Sequence, residues 1–188
     1  MKVPARTTAP DLGALLKLFP SRDDLADFQI VPAERLPTPY HALLVHEHHM
    51  TVTVEKYHGD LVNVCILDRR RDGDTYARKI LLTLQKTGQV VQYGVMRIHL
   101  RYCSDEVKQQ ILAGQTPLGR ILIEHNVLRR IEPTAFLRVV PGPAMRQWFG
   151  LPKTEPTFGR LAIIHCDDRP AVELLEIVAP VTAPRLKS

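Results

Sequence analysis

From Tyr76 to Leu100 the chain reads as two stretches of alternating apolar and polar positions, "YARKILLTL" and "VVQYGVMRIHL", separated by "QKTGQ". Alternation places successive side chains on opposite faces of an extended strand. The glycine in the break suits a tight turn, so the spacing predicts two long paired strands. The same period of two begins at Met50, where Thr51, Thr53 and Glu55 alternate with Val52, Val54 and Lys56. It predicts a strand that turns at Gly59 and forms a hairpin with "LVNVCILDRRRDGD". Two further strand segments, "AFLRVVPG" and "GRLAIIHCDDRPAVELLEIVAP", close the pattern.

Helical signals are fewer. "SDEVKQQILAG" has Ser104 at the N-cap position, acidic residues in its first turn and Gly114 just past its end, which together define a helix. After a break at "TPLGR" a second short helix is expected over "LGRILIEHN", with Thr116 able to cap it and Pro117 at its first turn, where a missing N–H costs nothing. Near the start, "DLGALLKLF" predicts a helix capped by Asp11 and stopped by Pro20, and "RDDLADF" a second short one; Pro32, Pro37 and Pro39 then mark a connecting segment. Strands in adjacent pairs, with helices grouped at the front and in the middle, predict an α+β fold: a single antiparallel β-sheet of about six strands with helices packed on it. One domain over 1–188 is expected, with 1–40 a loosely patterned, partly helical N-terminal segment and no internal repeat.

Composition agrees with a packed core. A chain of 188 residues that is 45% hydrophobic and 24% charged is globular rather than disordered. Cys65, Cys103 and Cys166 are far apart and odd in number, with no CxxC pair, so neither a disulfide framework nor a zinc knuckle is indicated. All three are expected to be buried or neutral strand residues. "MKVPARTTAPDLG" lacks the apolar stretch of a signal peptide, and no apolar run approaches the ~20 residues of a membrane span. A cytoplasmic protein is therefore expected. The formal charge of +5 favours anionic partners. It does not favour nucleic acid, because five Phe, five Tyr and one Trp are scattered rather than interleaved with basic residues on one face.

The local features sort themselves by position. "HEHHM" at 46–50 suggests a metal site but fails on spacing, since the position four after His46 is Met50. In a strand, His46 and His48 would share a face. "LDRRRDGD" is explained by a turn with a solvated charge run. Arg78, by contrast, shares its face with Tyr76, Ile80, Leu82 and Leu84. An arginine there must find an anion or bear a large desolvation cost. Glu176 alternates with Val172, Leu174 and Val178, while Glu173 falls with Ala171, Leu175 and Ile177, so each apolar face of the last strand carries one glutamate. A carboxylate shielded from water has a raised pKa and suits proton chemistry; pairing of Arg78 with Glu176 is the structural alternative. The free amides at the helix start after "TP", including that of Leu118, form an anion-binding terminus, beside the plain alternative of a helix junction.

"TPLGR" after a helix, an arginine opening the strand "ARKILL" with "KTGQVV" as its turn, and a final hairpin ending "ELLEIVAP" together resemble the chorismate lyases (chorismate pyruvate-lyases) over roughly residues 48–180. The UTRA ligand-binding domains of transcription regulators are similar in fold. The resemblance implies a lyase that eliminates pyruvate from chorismate to leave 4-hydroxybenzoate, a step of aromatic biosynthesis, with no metal and no organic cofactor. It implies that the ring carboxylate is held by Arg78 and by the amides of Met50 and Leu118, with Thr116 in the same turn, and that Glu176 lies at the opposite end of the ring and handles the proton. A second arginine of the family is missing, because Gly94 is followed by Val95; Arg97, two residues on, is the candidate substitute. The last hairpin reads one residue longer at "CDDRP", which leaves Glu173 as a rival to Glu176. The alternatives are a non-catalytic UTRA-type effector-binding domain and a relative acting on another chorismate-like carboxylate. The stretch before Met50 is too short and too rich in proline for a winged helix, which leads us to expect the enzyme.

Overall fold

The computed structural model describes residues 9–20 and 25–181. Among them, seven strands form one antiparallel sheet: β1 (Ala26–Val31), β2 (Val62–Asp72), β3 (Thr75–Leu84), β4 (Val90–His99), β5 (Arg129–Pro141), β6 (Thr157–Cys166) and β7 (Arg169–Val178). Their order across the sheet is β1-β5-β6-β7-β4-β3-β2. Six helices accompany it: α1 (Leu12–Lys17), α2 (Thr38–Leu44), α3 (Met50–His58), α4 (Asp105–Ala113), α5 (Leu118–Glu124) and α6 (Pro143–Phe149). The α+β class and the single antiparallel sheet are as the pattern predicts.

Each face of the sheet builds its own apolar layer. Ile80, Leu82, Met96, Ile98, Val172 and Leu174 pack under α2 to α5 through Leu43, Val54, Ile111 and Ile121. Leu81, Tyr93, Val95, Leu175 and Ile177 pack under α1 and α6 through Leu15, Phe19, Met145 and Phe149. The split follows from strand parity alone.

Several local expectations hold. The β3–β4 hairpin forms with Gly88 at φ 71 in its turn. The Ser104 side chain accepts from the Val107 amide at the start of α4, and Gly114 ends that helix in the left-handed region. Asp11 caps α1 by accepting from Ala14.

Four expectations are corrected. Met50–His58 is helix α3, not a strand, so the hairpin partner of β2 is β3, joined through Asp72–Thr75. Thr and Val raise strand propensity, yet the buried positions Met50, Thr51 and Val54 have helical spacing, and Gly59 closes the helix in the left-handed conformation. The helix expected over "RDDLADF" lies partly outside the described residues; from Ala26 the chain is the edge strand β1. Thr116 does not cap α5: Pro117 occupies the cap position and no side chain bonds the helix start. Of the cysteines, Cys65 lies on β2 and Cys166 is buried on β6, its thiol pushed up to about 12 chiefly by burial, as expected, whereas Cys103 is half-buried at the end of a 3₁₀ turn and on no strand.

The last hairpin closes tightly and shifts register once. Asp167 and Asp168, at φ 48 and 59, make a two-residue turn with both residues left-handed. A bulge near His165 then realigns the strands, so that Arg160 stands opposite Glu176 and Ile163 opposite Glu173.

Candidate functional site

The polar residues on the α2–α5 face follow from register. Arg78 on β3 is paired with Met96 on β4, and Met96 with Leu174 on β7. One row along, Ile80, Gly94, Glu176 and Arg160 lie side by side on four consecutive strands. The next row holds Leu82, Gln92 and Val178. A cation, a carboxylate and an amide thus occupy successive rows of an otherwise apolar surface.

Arg78 is wholly buried, and both of its terminal guanidinium nitrogens, Nη1 and Nη2, have no hydrogen-bond partner. Its Nε donates to the Met96 sulfur at 3.2 Å. Burial pulls its pKa below the ordinary arginine value. The alternative, a pairing of Arg78 with Glu176, does not form. Glu176 is bonded instead by Arg160, whose Nε donates to Oε2 at 2.8 Å. Arg160 is itself fully buried and spends its remaining donors on main-chain carbonyls: Leu44 at 3.1 Å, His46 at 2.9 Å and His48 at 3.2 Å. One guanidinium therefore ties Glu176 to the loop that delivers the first turn of α3.

That loop and the start of α5 close the site from above. A Cβ added at Gly119 would lie 2.9 Å from the Cβ of His49, so the two helix starts approach as closely as a glycine permits. First-turn amides have no acceptor within their own helix, and here Met50 and Leu118, the first residues of α3 and α5, both line one cavity. Its walls include His49, Met50, Leu118, Gln92, Met96 and Glu176. Its volume is about 30 Å³, room for a water or two but not for a ring. A ring-sized ligand would have to part the helix starts from the sheet. A wider and more open groove of about 600 Å³ lies between α2 and α3, lined by Leu43, His46, His48 and Tyr57. No buried arginine or glutamate lines it, so the charged chemistry belongs to the small cavity.

The expected residues are placed as follows. Met50, Leu118 and Glu176 share the cavity wall; Arg78 does not line it and stands beside Met96, which does, on the neighbouring strand. Thr116 is half-buried outside the wall. Arg97 is on the other face of the sheet, where it forms an ion pair with Glu173. It cannot stand beside Arg78, and Glu173 is likewise turned away from Glu176. The histidines do not lie on a strand: residues 45–48 form a bend and His49 precedes α3, with the rings of His46 and His48 stacked at 5.6 Å. Among the described residues no group of three His, Cys, Asp or Glu side chains is placed to hold a metal ion.

His46 and His49 both have pKa values lowered to about 4, chiefly by burial. The Arg160 charge adds to this for His46, and the Arg129, Arg160 and His48 charges for His49. The His49 Nε2 and Gln92 Oε1 atoms, both at the cavity, have no partner, and neither does the nearby Tyr76 hydroxyl.

Arg160 and Gln92 went unnoticed in the sequence. Arg160 carries the signal that singled out Arg78, an arginine in register with Ala162 and Ile164 in "GRLAIIHC".

No protein-family model matches the chain, and no curated protein matches it. Its fold is similar to that of solved structures. PhnF from Mycobacterium smegmatis superposes with a TM-score of 0.54 at 11% identity, over 75% of this chain and 71% of that one. The effector domain of PhnF from Mycobacterium smegmatis gives 0.45 at 12% identity, over 70% and 88%. The ligand-binding domain of a protein described as a GntR-family transcriptional regulator from Bordetella bronchiseptica gives 0.47 at 16%, over 62% and 85%. Among the described residues no helix is long and apolar enough to cross a membrane.

Proposed function

We propose that this chain binds a small ring carboxylate of the 4-hydroxybenzoate class in the cavity beneath the starts of α3 and α5. The observation that carries the reading is Arg78, a wholly buried guanidinium with two unpartnered nitrogens. An unpaired buried cation is costly. A carboxylate supplies two acceptors in the geometry of the guanidinium fork, and the amides of Met50 and Leu118 would complete its coordination. The likeness to PhnF is one of fold and leaves turnover open.

A second, finer reading is carried by Glu176, whose carboxylate lines the same cavity: the chain is a chorismate lyase. Chorismate is a dianion, and the surplus of positive charge and Arg78 suit it. Aromatisation drives the loss of pyruvate, so the protein has mainly to orient the ring and assist one proton transfer. Glu176 would assist departure of the ether oxygen or bond the hydroxyl that remains.

Calorimetry with 4-hydroxybenzoate, together with an assay for pyruvate released from chorismate, tests both. Arg78→Met should weaken binding by about 30-fold or more, the effect of deleting one side of a buried charge pair. Its thermal stability should match or exceed that of the wild type, since an uncompensated charge is removed. Pyruvate release by the wild type supports the lyase; binding without release leaves an effector-binding domain. A wild type that binds no ring carboxylate overturns the proposal.

A further inference from the structure

We propose that Gln92 determines ligand specificity by reading a hydroxyl on the ring carbon opposite the carboxylate; this rests on the binding reading above. Gln92 is 3% exposed, lines the cavity, and leaves its Oε1 without a partner. It sits mid-strand between Leu82 and Val178, on the face it shares with Met96. A leucine or methionine would pack in such a place with no polar atom to satisfy. An orphaned buried acceptor costs about 1–3 kcal/mol, so stability does not account for a glutamine here, and a buried group of this kind calls for a ligand or a water.

Its position says which part of the ligand it meets. Arg78 faces Met96, and Gln92 lies four residues back along β4, about 13 Å of strand. Between them Gly94 presents no side chain; a Cβ there would already lie 3.3 Å from Ile80. On β4 itself no side chain stands between the cationic end and the amide end; Ile80 leans over that position from β3, and Glu176 stands beside it on β7. A ring whose carboxylate is held at the Arg78 end directs its far substituent toward Glu176 and Gln92.

Glu176 is already bonded by Arg160. A ring hydroxyl supplies what Gln92 lacks: its O–H donates to Oε1, the acceptor left without a partner. An unsubstituted ring leaves that acceptor unmet. The expected discrimination is therefore a preference for hydroxylated over plain ring carboxylates, set by a residue that touches neither Arg78 nor the carboxylate.

The test compares 4-hydroxybenzoate with benzoate by calorimetry on the full chain and on Gln92→Met, with thermal unfolding of each protein free of ligand. The wild type should prefer 4-hydroxybenzoate by about tenfold or more. Gln92→Met should bring that preference down to about threefold or less, chiefly through weaker 4-hydroxybenzoate binding, and unfold at the same or a higher temperature. Gln92→Leu should do the same. A Gln92→Met protein that keeps the full preference overturns the proposal, as does one that loses stability and binds both ligands equally less well. A wild type that binds the two alike overturns it while leaving the binding site standing; a wild type that binds neither overturns the site as well.

Discussion

The two faces of the sheet are built by the same alternation and covered by helices in the same way, yet they treat polar groups differently. Under α1 and α6, Tyr93 stacks on Trp148 with ring centroids 5.4 Å apart, and the charged pair, Arg97 with Glu173, stays partly in water at 27% and 21% side-chain exposure. Under α2 to α5, the pair is Arg160 with Glu176, at 1% and 9%. Beside it, the described residues with buried side-chain atoms lacking partners are His49, Tyr76, Arg78 and Gln92, all on this face. One face is finished as a core. The other has the packing of a core and the unmet polar groups of a binding site, and such local violations of packing rules concentrate where a protein functions.

The largest effect should come from breaking the buried pair. Arg160→Met leaves Glu176 in an apolar surround without its cation, and leaves three carbonyls of the 44–48 loop without their donor. Losing one partner of a buried pair costs about 3–5 kcal/mol, and urea unfolding should show that loss. Adding Glu176→Gln should recover a substantial part of it, because the orphaned charge is gone. A single variant that loses less than about 1 kcal/mol would mean that the two faces do not differ in this respect.

How much of this was legible depends on whether the signal was local. The β3–β4 hairpin and α4 declare themselves through alternation, a turn glycine and caps. Arg78 was visible because a charge at an apolar parity is conspicuous. Arg160 gives the same signal and could have been read, whereas Gln92 in "VVQYGV" is uncharged and shows its isolation only once the neighbouring strands are in place. Arg97 enters by resemblance, as a substitute two residues past Val95, and whether it shares a face with Arg78 depends on register between two strands, which pairs Arg78 with Met96 and Arg97 with Ala77. The segment at Met50 misled through its Val and Thr residues, although Lys56, His58 and Gly59 together are a helix-stop signal. With α3 taken as a strand, the amide of Met50 was assigned by resemblance without the helix start that makes it available.

A smaller effect distinguishes the faces by pH. His46 and His49 sit where the α2–α3 loop meets Arg160, with pKa values lowered to about 4. In the unfolded chain they take up protons near 6.5. Between these values the unfolded state binds more protons, so stability is whole above pH 6.5 and falls as pH drops toward 4. For the buried His49 the slope is at most about 1.4 kcal/mol per pH unit. His58 and His99 shift in the same direction through burial. Thermal unfolding followed from pH 7 to pH 5 should show a declining midpoint in the wild type and a shallower decline in His49→Gln. Equal slopes would mean that the loop over the cavity is open to water.

The smallest effect belongs to the finished face and sharpens the contrast most. Glu173 differs from Glu176 by three positions along β7, hence by parity, and its partner Arg97 is directly across on β4. Both side chains are partly solvated, so their attraction is screened and the pair contributes about 0.2–1 kcal/mol, as exposed pairs do. Glu173→Gln keeps the shape and one acceptor oxygen, and should cost no more than this in urea unfolding. Because the sheet lies between it and the cavity, 4-hydroxybenzoate affinity and any release of pyruvate should be the same as in the wild type. Glu176→Gln should instead slow turnover by roughly 10²-fold or more if its carboxylate acts on the ring proton. A Glu173→Gln protein that binds poorly while Glu176→Gln binds and turns over normally would place the bulge near His165 on the wrong side of the register. The face now described as finished would then be the one that meets the ligand.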